Sequence, residues 1–198
     1  MRRALPWLAY LVLASIGPVC VGLLPGGVIY AAGAAEPPAN TPDRLRPPPR
    51  DELPLAVAVE WAQAALAACK SLGYPVTATY MNSYGEIKLV LRADGARGST
   101  AETGRRKAYT VIATGMSSEA YGRSVGYPPG KPAPRLPGKP IGLPPGVSDE
   151  NLIVVEGGLP LRNAAGKIIG AVSVSGSLGG NDHVCAQAGL DKIAPLLQ

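Results

Sequence analysis

The apolar positions change period along the chain, and each change marks an element. From Leu55 to Leu72 they recur at steps of four and three, at Leu55, Val59, Ala62, Leu66 and Cys69, on an alanine-rich background. That spacing predicts a helix with one apolar stripe. Gly73 suits its C-cap, and Pro75 bars continuation. The period then falls to two. Val76, Ala78 and Tyr80 alternate with Thr77 and Thr79, 82–85 is turn chemistry, and Ile87, Leu89 and Leu91 alternate with Lys88, Val90 and Arg92. These runs read as the two strands of a hairpin. Ser99 with Glu102 three residues later has the capping-box spacing and opens a second helix to about Ala113. Gly104 weakens that helix by roughly 1 kcal/mol relative to alanine. Ser117–Tyr121 adds a further turn. After a long loop come three short apolar runs, 152–155, 159–162 and 167–175, the last two joined by turn residues Asn163 to Gly166. Gly176, Gly179 and Gly180 end the last strand. Asn181 or Asp182 then caps a closing helix that turns Val184, Cys185, Ala188, Ile193 and Leu196 inward. The order is helix, two strands, helix, loop, three strands, helix. Hairpins imply an antiparallel sheet with helices packed on it, an α+β architecture.

Composition refines the ends and the loop. The chain has 198 residues with 25 glycines, 21 prolines and no phenylalanine. Residues 1–35 read as an export signal: Arg2 and Arg3 form a basic start, Leu5 to Val21 is apolar, and Ala32-Gly33-Ala34 offers a cleavage site. The competing readings are an uncleaved membrane anchor, disfavoured by Pro18 and Pro25, and a lipoprotein at Cys20, with a poor lead-in from Gly17-Pro18-Val19. Export makes the protein periplasmic or secreted, touching a membrane only through this segment. Residues 36–54 are a proline-rich linker, expected to be extended and poorly ordered. Residues 122–148 alternate Pro and Gly, a long loop expected to be a solvated excursion, an oligomer contact or a binding element. The formal charge of +5 falls to +3 once Arg2 and Arg3 are removed, leaving 17 basic against 14 acidic residues. That is too mild for a nucleic-acid partner, and no basic stripe interleaves with aromatics.

Candidate chemistry is sparse. His183 is the sole histidine, which excludes a two-histidine metal site. Ser173, Ser175 and Ser177 alternate near it, but no G-x-S-x-G elbow is present, and alternate serines on a strand read as ordinary sheet residues. Arg105, Arg106, Lys107, Tyr109 and Thr110 cluster on the second helix. There Arg105 shares a face with Tyr109, and Arg106 with Thr110. Cations beside an aromatic ring suit a flat ligand with carboxylates; a solvated helix face suits the same residues. Glycines 176, 179 and 180 before a helix can form an anion nest, or can simply be needed for a tight turn.

Five motifs in order carry a resemblance: LAACKSLGYPVT, YGEIKLVLRADGA, RRKAYT, GGLPLRN with GKIIGAVSVSG, and GGNDHVCAQAGLDKI. Together they resemble the GlcG/HbpS-like haem-binding family, which also includes the C-terminal domain of a PduO-type cobalamin adenosyltransferase. The resemblance covers roughly Leu53 to Leu197 and gives a domain at 55–198. It implies a profilin-like sandwich with a five-stranded antiparallel sheet, a homo-oligomer and haem. KAYT matches a motif on the helix lining the pocket in relatives, which brings in Lys107 and Thr110 as motif positions. Relatives often continue with an aromatic and an Arg-Pro pair; here VIATGMSSEAYG follows. A haem site needs a flat apolar slot, cations for two propionates and an axial ligand. The slot is expected between the second helix and the sheet, with Arg105, Arg106 and Lys107 as cations and Tyr109, Met116 and His183 as ligand candidates. The resulting expectation is an exported haem-binding carrier, sensor or accessory without a catalytic cycle of its own. The alternatives are an enzyme or redox accessory acting on haem or a small organic acid, and a structural oligomeric partner of a neighbouring enzyme.

Cys69 and Cys185 lie on the apolar stripes of the first and last helices, which can be neighbours on one sheet face. In an oxidising compartment they are expected to pair, with two buried free thiols as the alternative.

Overall fold

The structure is a computed structural model, which describes residues 51–178 and 180–197. The expected export signal and most of the linker lie outside the described residues. The last linker residues, 51–54, do not fit the expectation of poor order. Leu53 is buried, and its N–H donates to Tyr80 Oη at 2.8 Å. Burial in turn pushes the Tyr80 phenol up to about 12, so this acceptor stays neutral. Lys88 pairs with Glu52 at 3.0 Å.

The elements follow the sequence periods closely. They are α1 (Leu55–Ser71), β1 (Thr77–Asn82), β2 (Ile87–Arg92), α2 (Ser99–Thr114), α3 (Ser118–Ser124), β3 (Gly158–Arg162), β4 (Ile168–Ser175) and α4 (Asn181–Ile193), with a final 3-10 turn at Ala194–Leu196. The sheet has four strands in the order β2-β1-β4-β3, all pairs antiparallel. Helices α1 and α4 cover one face and α2 the other, so β1 is buried along its whole length. Ala78 pairs with Val174 and Tyr80 with Val172, both pairs lying in the α1/α4 core. On the opposite face Met81 and Ala171 meet Ala108 and Val111 of α2.

The expected strand at 152–155 does not form, which corrects the five-stranded sheet implied by resemblance. Its backbone groups bond elsewhere. Leu152 O accepts from Arg106 Nη2, Ile153 N donates to Thr110 Oγ1, and Val154 N donates to Gly142 O. A β-branched run makes a strand only if a neighbouring strand satisfies it; here helix side chains and a loop carbonyl do so.

Three local expectations also change. Gly98 stands at the N-cap of α2, and no side chain caps it; Glu102 binds Arg105 instead of closing a capping box. At α4 the N-cap is Gly180, also without a side-chain cap. The buried stripe of α4 is Asp182, Cys185, Ala186, Gly189 and Ile193, whereas Val184 and Leu196 are exposed. In α1 the buried residues are Ala58, Trp61, Ala62, Ala65 and Cys69, and Leu55 is exposed. The stripe is rotated because Trp61 takes the core position, donating from Nε1 to Ala186 O at 3.2 Å. A Cβ at Gly189 would lie 2.7 Å from the Trp61 ring and 2.8 Å from its carbonyl oxygen, so only glycine lets these helices approach so closely.

One turn along, Cys69 and Cys185 form the expected disulfide, with Cα atoms 5.5 Å apart at a sequence separation of 116. In the chain-entropy description a loop of that length stabilises the fold by about 4–5 kcal/mol. Reduction, or Cys69→Ala with Cys185→Ala, should therefore lower the melting temperature by roughly 10–20 °C. Thermal unfolding with and without reductant measures this, and an unchanged midpoint would contradict the cross-link's role.

Candidate functional site

The basic cluster on α2 is arranged residue by residue for internal bonding. Arg106 is buried, and its guanidinium donates to Glu150 O at 2.9 Å, Ile141 O at 2.6 Å and Leu152 O at 2.5 Å. Burial pulls its pKa below the ordinary value, yet an arginine stays cationic. It thus ties the end of the long loop to α2. Arg105 chelates Glu102 through Nε and Nη2, both at 2.8 Å, and reaches Asn151 Oδ1 at 2.8 Å. That hydrogen bonding holds the Glu102 carboxyl below the usual carboxylate range. Tyr109 donates to Asp149 Oδ2 at 2.9 Å, which raises the phenol's pKa, while hydrogen bonds from Asn151 lower that of Asp149. Met116 is exposed just past the left-handed Gly115 that ends α2. The space between α2 and the sheet, where a slot was expected, is filled by Met81, Ala108, Val111 and Ala171. Gly104 makes this contact possible: a Cβ there would lie 2.8 Å from Thr79 Oγ1, and its carbonyl accepts from Ser173 Oγ at 2.7 Å.

Lys107 is the most deeply placed charge, its side chain only 1% exposed. Its Nζ meets Asp182 Oδ2 at 2.6 Å and donates to Val174 O at 2.8 Å. The other Asp182 oxygen accepts from Ser177 N at 2.9 Å and Ser177 Oγ at 2.7 Å. Gly176 N approaches Oδ2 at 3.4 Å. The protein's own carboxylate therefore takes the anion's place in the glycine turn that the sequence offered as a nest. Gly179 lies outside the described residues.

Of the candidate ligands, His183 opens onto a cavity. It lines a cleft of about 740 Å³ between the 127–133 stretch and the start of α4. One wall is Tyr127, Pro128, Pro129, Pro132 and Ala133; the other is Val154, Val155, Leu178 and Val184. The charged groups on it are Glu119, Lys131, Glu156 and Asp182. Lys131 Nζ lies 5.8 Å from the centre of the Tyr127 ring and donates to Gly126 O at 3.3 Å. Glu119 Oε2 is 3.2 Å from His183 Nδ1. The long loop is therefore no free excursion: Tyr127 N donates to Gly122 O, Gly142 N donates to Pro134 O, and Pro134 and Leu143 are buried. Among the described residues no group of three His, Cys, Asp or Glu side chains could hold a metal ion. No described helix is long and apolar enough to cross a membrane.

With this geometry established, comparison places the chain. The model of a family described as "Haem degrading protein HbpS-like" matches residues 53–191. The chain belongs to the HbpS-like family. Leu53, where the match begins, is buried in the core. A 15.0 kDa protein of Citrobacter freundii, named only as uncharacterized and lying between dhaT and dhaS, is 28% identical over 142 residues, 72% of this chain and 92% of that protein. A crystal structure of HbpS matches at TM-score 0.56 and 26% identity, covering 71% of this chain and 89% of that one. A crystal structure of a PduOC–heme complex shares the fold at TM-score 0.59 and 21% identity, over 72% and 95% of the two chains.

Sequence reasoning missed Asp182 and Glu119 in this HbpS-like domain. Asp182 read as a helix cap, and its real partner, Lys107, is 75 residues away. The only available signal was a lysine on a helix stripe that is otherwise buried. Breaking a buried pair by removing one partner typically costs about 3–5 kcal/mol, whereas replacing both with apolar groups can be neutral. Lys107→Met and Asp182→Leu should each destabilise by that amount, and the double variant should recover most of the loss. Urea unfolding of the three variants supplies the cycle; additive losses would deny the coupling.

Proposed function

We propose that this HbpS-like domain is an exported haem-binding accessory protein whose ligand occupies the cleft at the start of α4, with His183 as the axial ligand. The carrying observation is that the chain's one histidine borders an apolar-walled cleft of about 740 Å³, within the roughly 300–1,000 Å³ usual for small-molecule sites. The residues suit the group. Pro128, Pro129, Val154, Val155, Leu178 and Val184 offer flat apolar surface, and Lys131 supplies a cation for a propionate. The His183 side chain lines the cleft and is 37% exposed, although its Nδ1 is buried. When bound, haem would supply a redox-active iron; the chain's part is to ligate it, wall it in and exclude water. Family membership supports the haem reading, and the PduOC–heme complex is a precedent on the same fold. Within the basic cluster, Arg106, Lys107 and Thr110 serve this site indirectly, by fixing the 141–153 segment and the start of α4.

Export is supported by the basic and apolar start of the sequence, and by a Cys69–Cys185 bridge of the kind that persists in oxidising compartments. Self-association is supported by edge strand β2, which exposes Ile87 at 46% and Val90 at 43%. Sedimentation at micromolar concentration should show an oligomer, and a monomer there would remove this part of the proposal.

Haem titration tests the central claim. The wild type should give a saturable Soret shift. His183→Ala should raise the dissociation constant at least about tenfold, the loss of one ligand bond worth 1.4 kcal/mol or more. Arg105→Ala, Tyr109→Phe and Met116→Leu should leave it within about twofold. Failure of the wild type to saturate would end the haem reading, and binding that survives His183→Ala would place the ligand elsewhere.

A further inference from the structure

We infer that Glu119 is the positioning residue of His183: its carboxylate fixes the imidazole so that Nε2 faces the cleft with its lone pair free. The two side chains come from different elements, Glu119 from α3 and His183 from the first turn of α4. Glu119 Oε2 lies 3.2 Å from His183 Nδ1, and Oε1 is held by Arg123. The Nδ1 atom is buried, and the oblique contact with Glu119 leaves it without a well-aligned hydrogen bond. The pairing requires the ring to turn until Nδ1–H points at Oε2. A neutral imidazole carries one N–H, and a buried nitrogen beside a carboxylate oxygen favours carrying it there. The bare nitrogen is then Nε2. Carboxylate–histidine pairing of this kind orients metal-ligating histidines and raises their basicity.

The neighbouring charges leave Glu119 this role. Asp182 precedes His183 in sequence, but its carboxylate is engaged by Lys107 and Ser177. Lys131 stands on the far wall with Tyr127 and Gly126, and Glu156 also lines the cleft. Helix α3 itself is anchored independently of any ligand. Ser117 Oγ accepts from Ala120 N at 3.1 Å, and buried Ser118 Oγ accepts from Gly158 N at 2.9 Å. A Cβ at Gly122 would meet Tyr127 O at 2.8 Å and Val154 O at 3.0 Å, so the helix sits hard against the segment that carries the cleft's second wall. Glu119 is thus pre-placed by the fold.

The inference rests on the reading of His183 as the haem ligand, yet half of its test needs no haem. A single histidine gives one set of imidazole signals, so long-range proton–nitrogen correlation on the ¹⁵N-labelled full chain, at a pH where the ring is neutral, reads the tautomer directly. The wild type should carry its proton on Nδ1. Glu119→Ala should shift the population towards the Nε2-protonated form. Glu119→Gln, whose amide oxygen still accepts that proton, should keep the wild-type form. In parallel, hemin titration should show Glu119→Ala weakening binding by roughly ten- to a hundredfold, with Glu119→Gln between it and the wild type. An Nε2-protonated wild type, or a tautomer indifferent to Glu119→Ala, overturns the inference even if hemin binds through His183. A Glu119-dependent tautomer in a protein that does not bind hemin upholds the positioning and removes the haem reading alone.

Discussion

The ammonium of Lys107 sits where three parts of the fold meet, and the rest of the structure depends on how it is satisfied. It comes from α2, on one face of the sheet. It donates to the end of β4 at Val174 and pairs with Asp182 at the start of α4, which packs on the other face. Desolvating an isolated charge is prohibitive, so the chain must bring a carboxylate and a carbonyl to that point together. That requirement sets the course of the glycine turn, because Asp182 also accepts from Ser177 and Gly176. It sets the start of α4, and with it the position of His183. On the far side the Cys69–Cys185 bridge and the Trp61–Gly189 approach fix the same helix against α1. Helix α4 is thus held at its N-terminal end by an ion pair and along its body by a cross-link.

The two ways of satisfying a backbone explain what the sequence showed and what it hid. Local periodicity was legible: both hairpins, α1 and α2 lie within a residue or two of where alternation and the 3.6 period placed them. So was the pairing of Cys69 with Cys185, since each stood on an apolar stripe. The run 152–155 has a strand's composition, but whether it becomes a strand is decided by Arg106 and Thr110, more than forty residues earlier. The buried stripe of α1 lies part of a turn away from the predicted one, with Trp61 in the core and Leu55 exposed. The basic cluster is conspicuous in the sequence for its charges, and charge alone does not reveal that Arg106 and Lys107 point inward. Nothing short-range distinguishes a guanidinium that meets three carbonyls from one that meets a ligand.

The cleft was hidden for a different reason: its wall is written in residues that usually signal the absence of structure. Proline and glycine between 126 and 148 read as a solvated excursion. Proline has no N–H, so a stretch rich in it can line an apolar slot without leaving backbone donors to be desolvated when a ligand enters. Gly126 and Gly130, at φ of +82° and +84°, turn the chain back across the mouth where a side chain would be strained. The buried Pro134, with its carbonyl bonded to Gly142 N, closes the excursion on the core. A domain without phenylalanine thus builds its flat surface mainly from pyrrolidine rings and valines, with the Tyr127 ring beside them. Such a wall gives up the specific ring–ring geometry of an aromatic slot. Selectivity in this cleft then has to come from its few polar groups, and among them His183 stands 3.2 Å from Glu119, on the helix that Lys107 anchors.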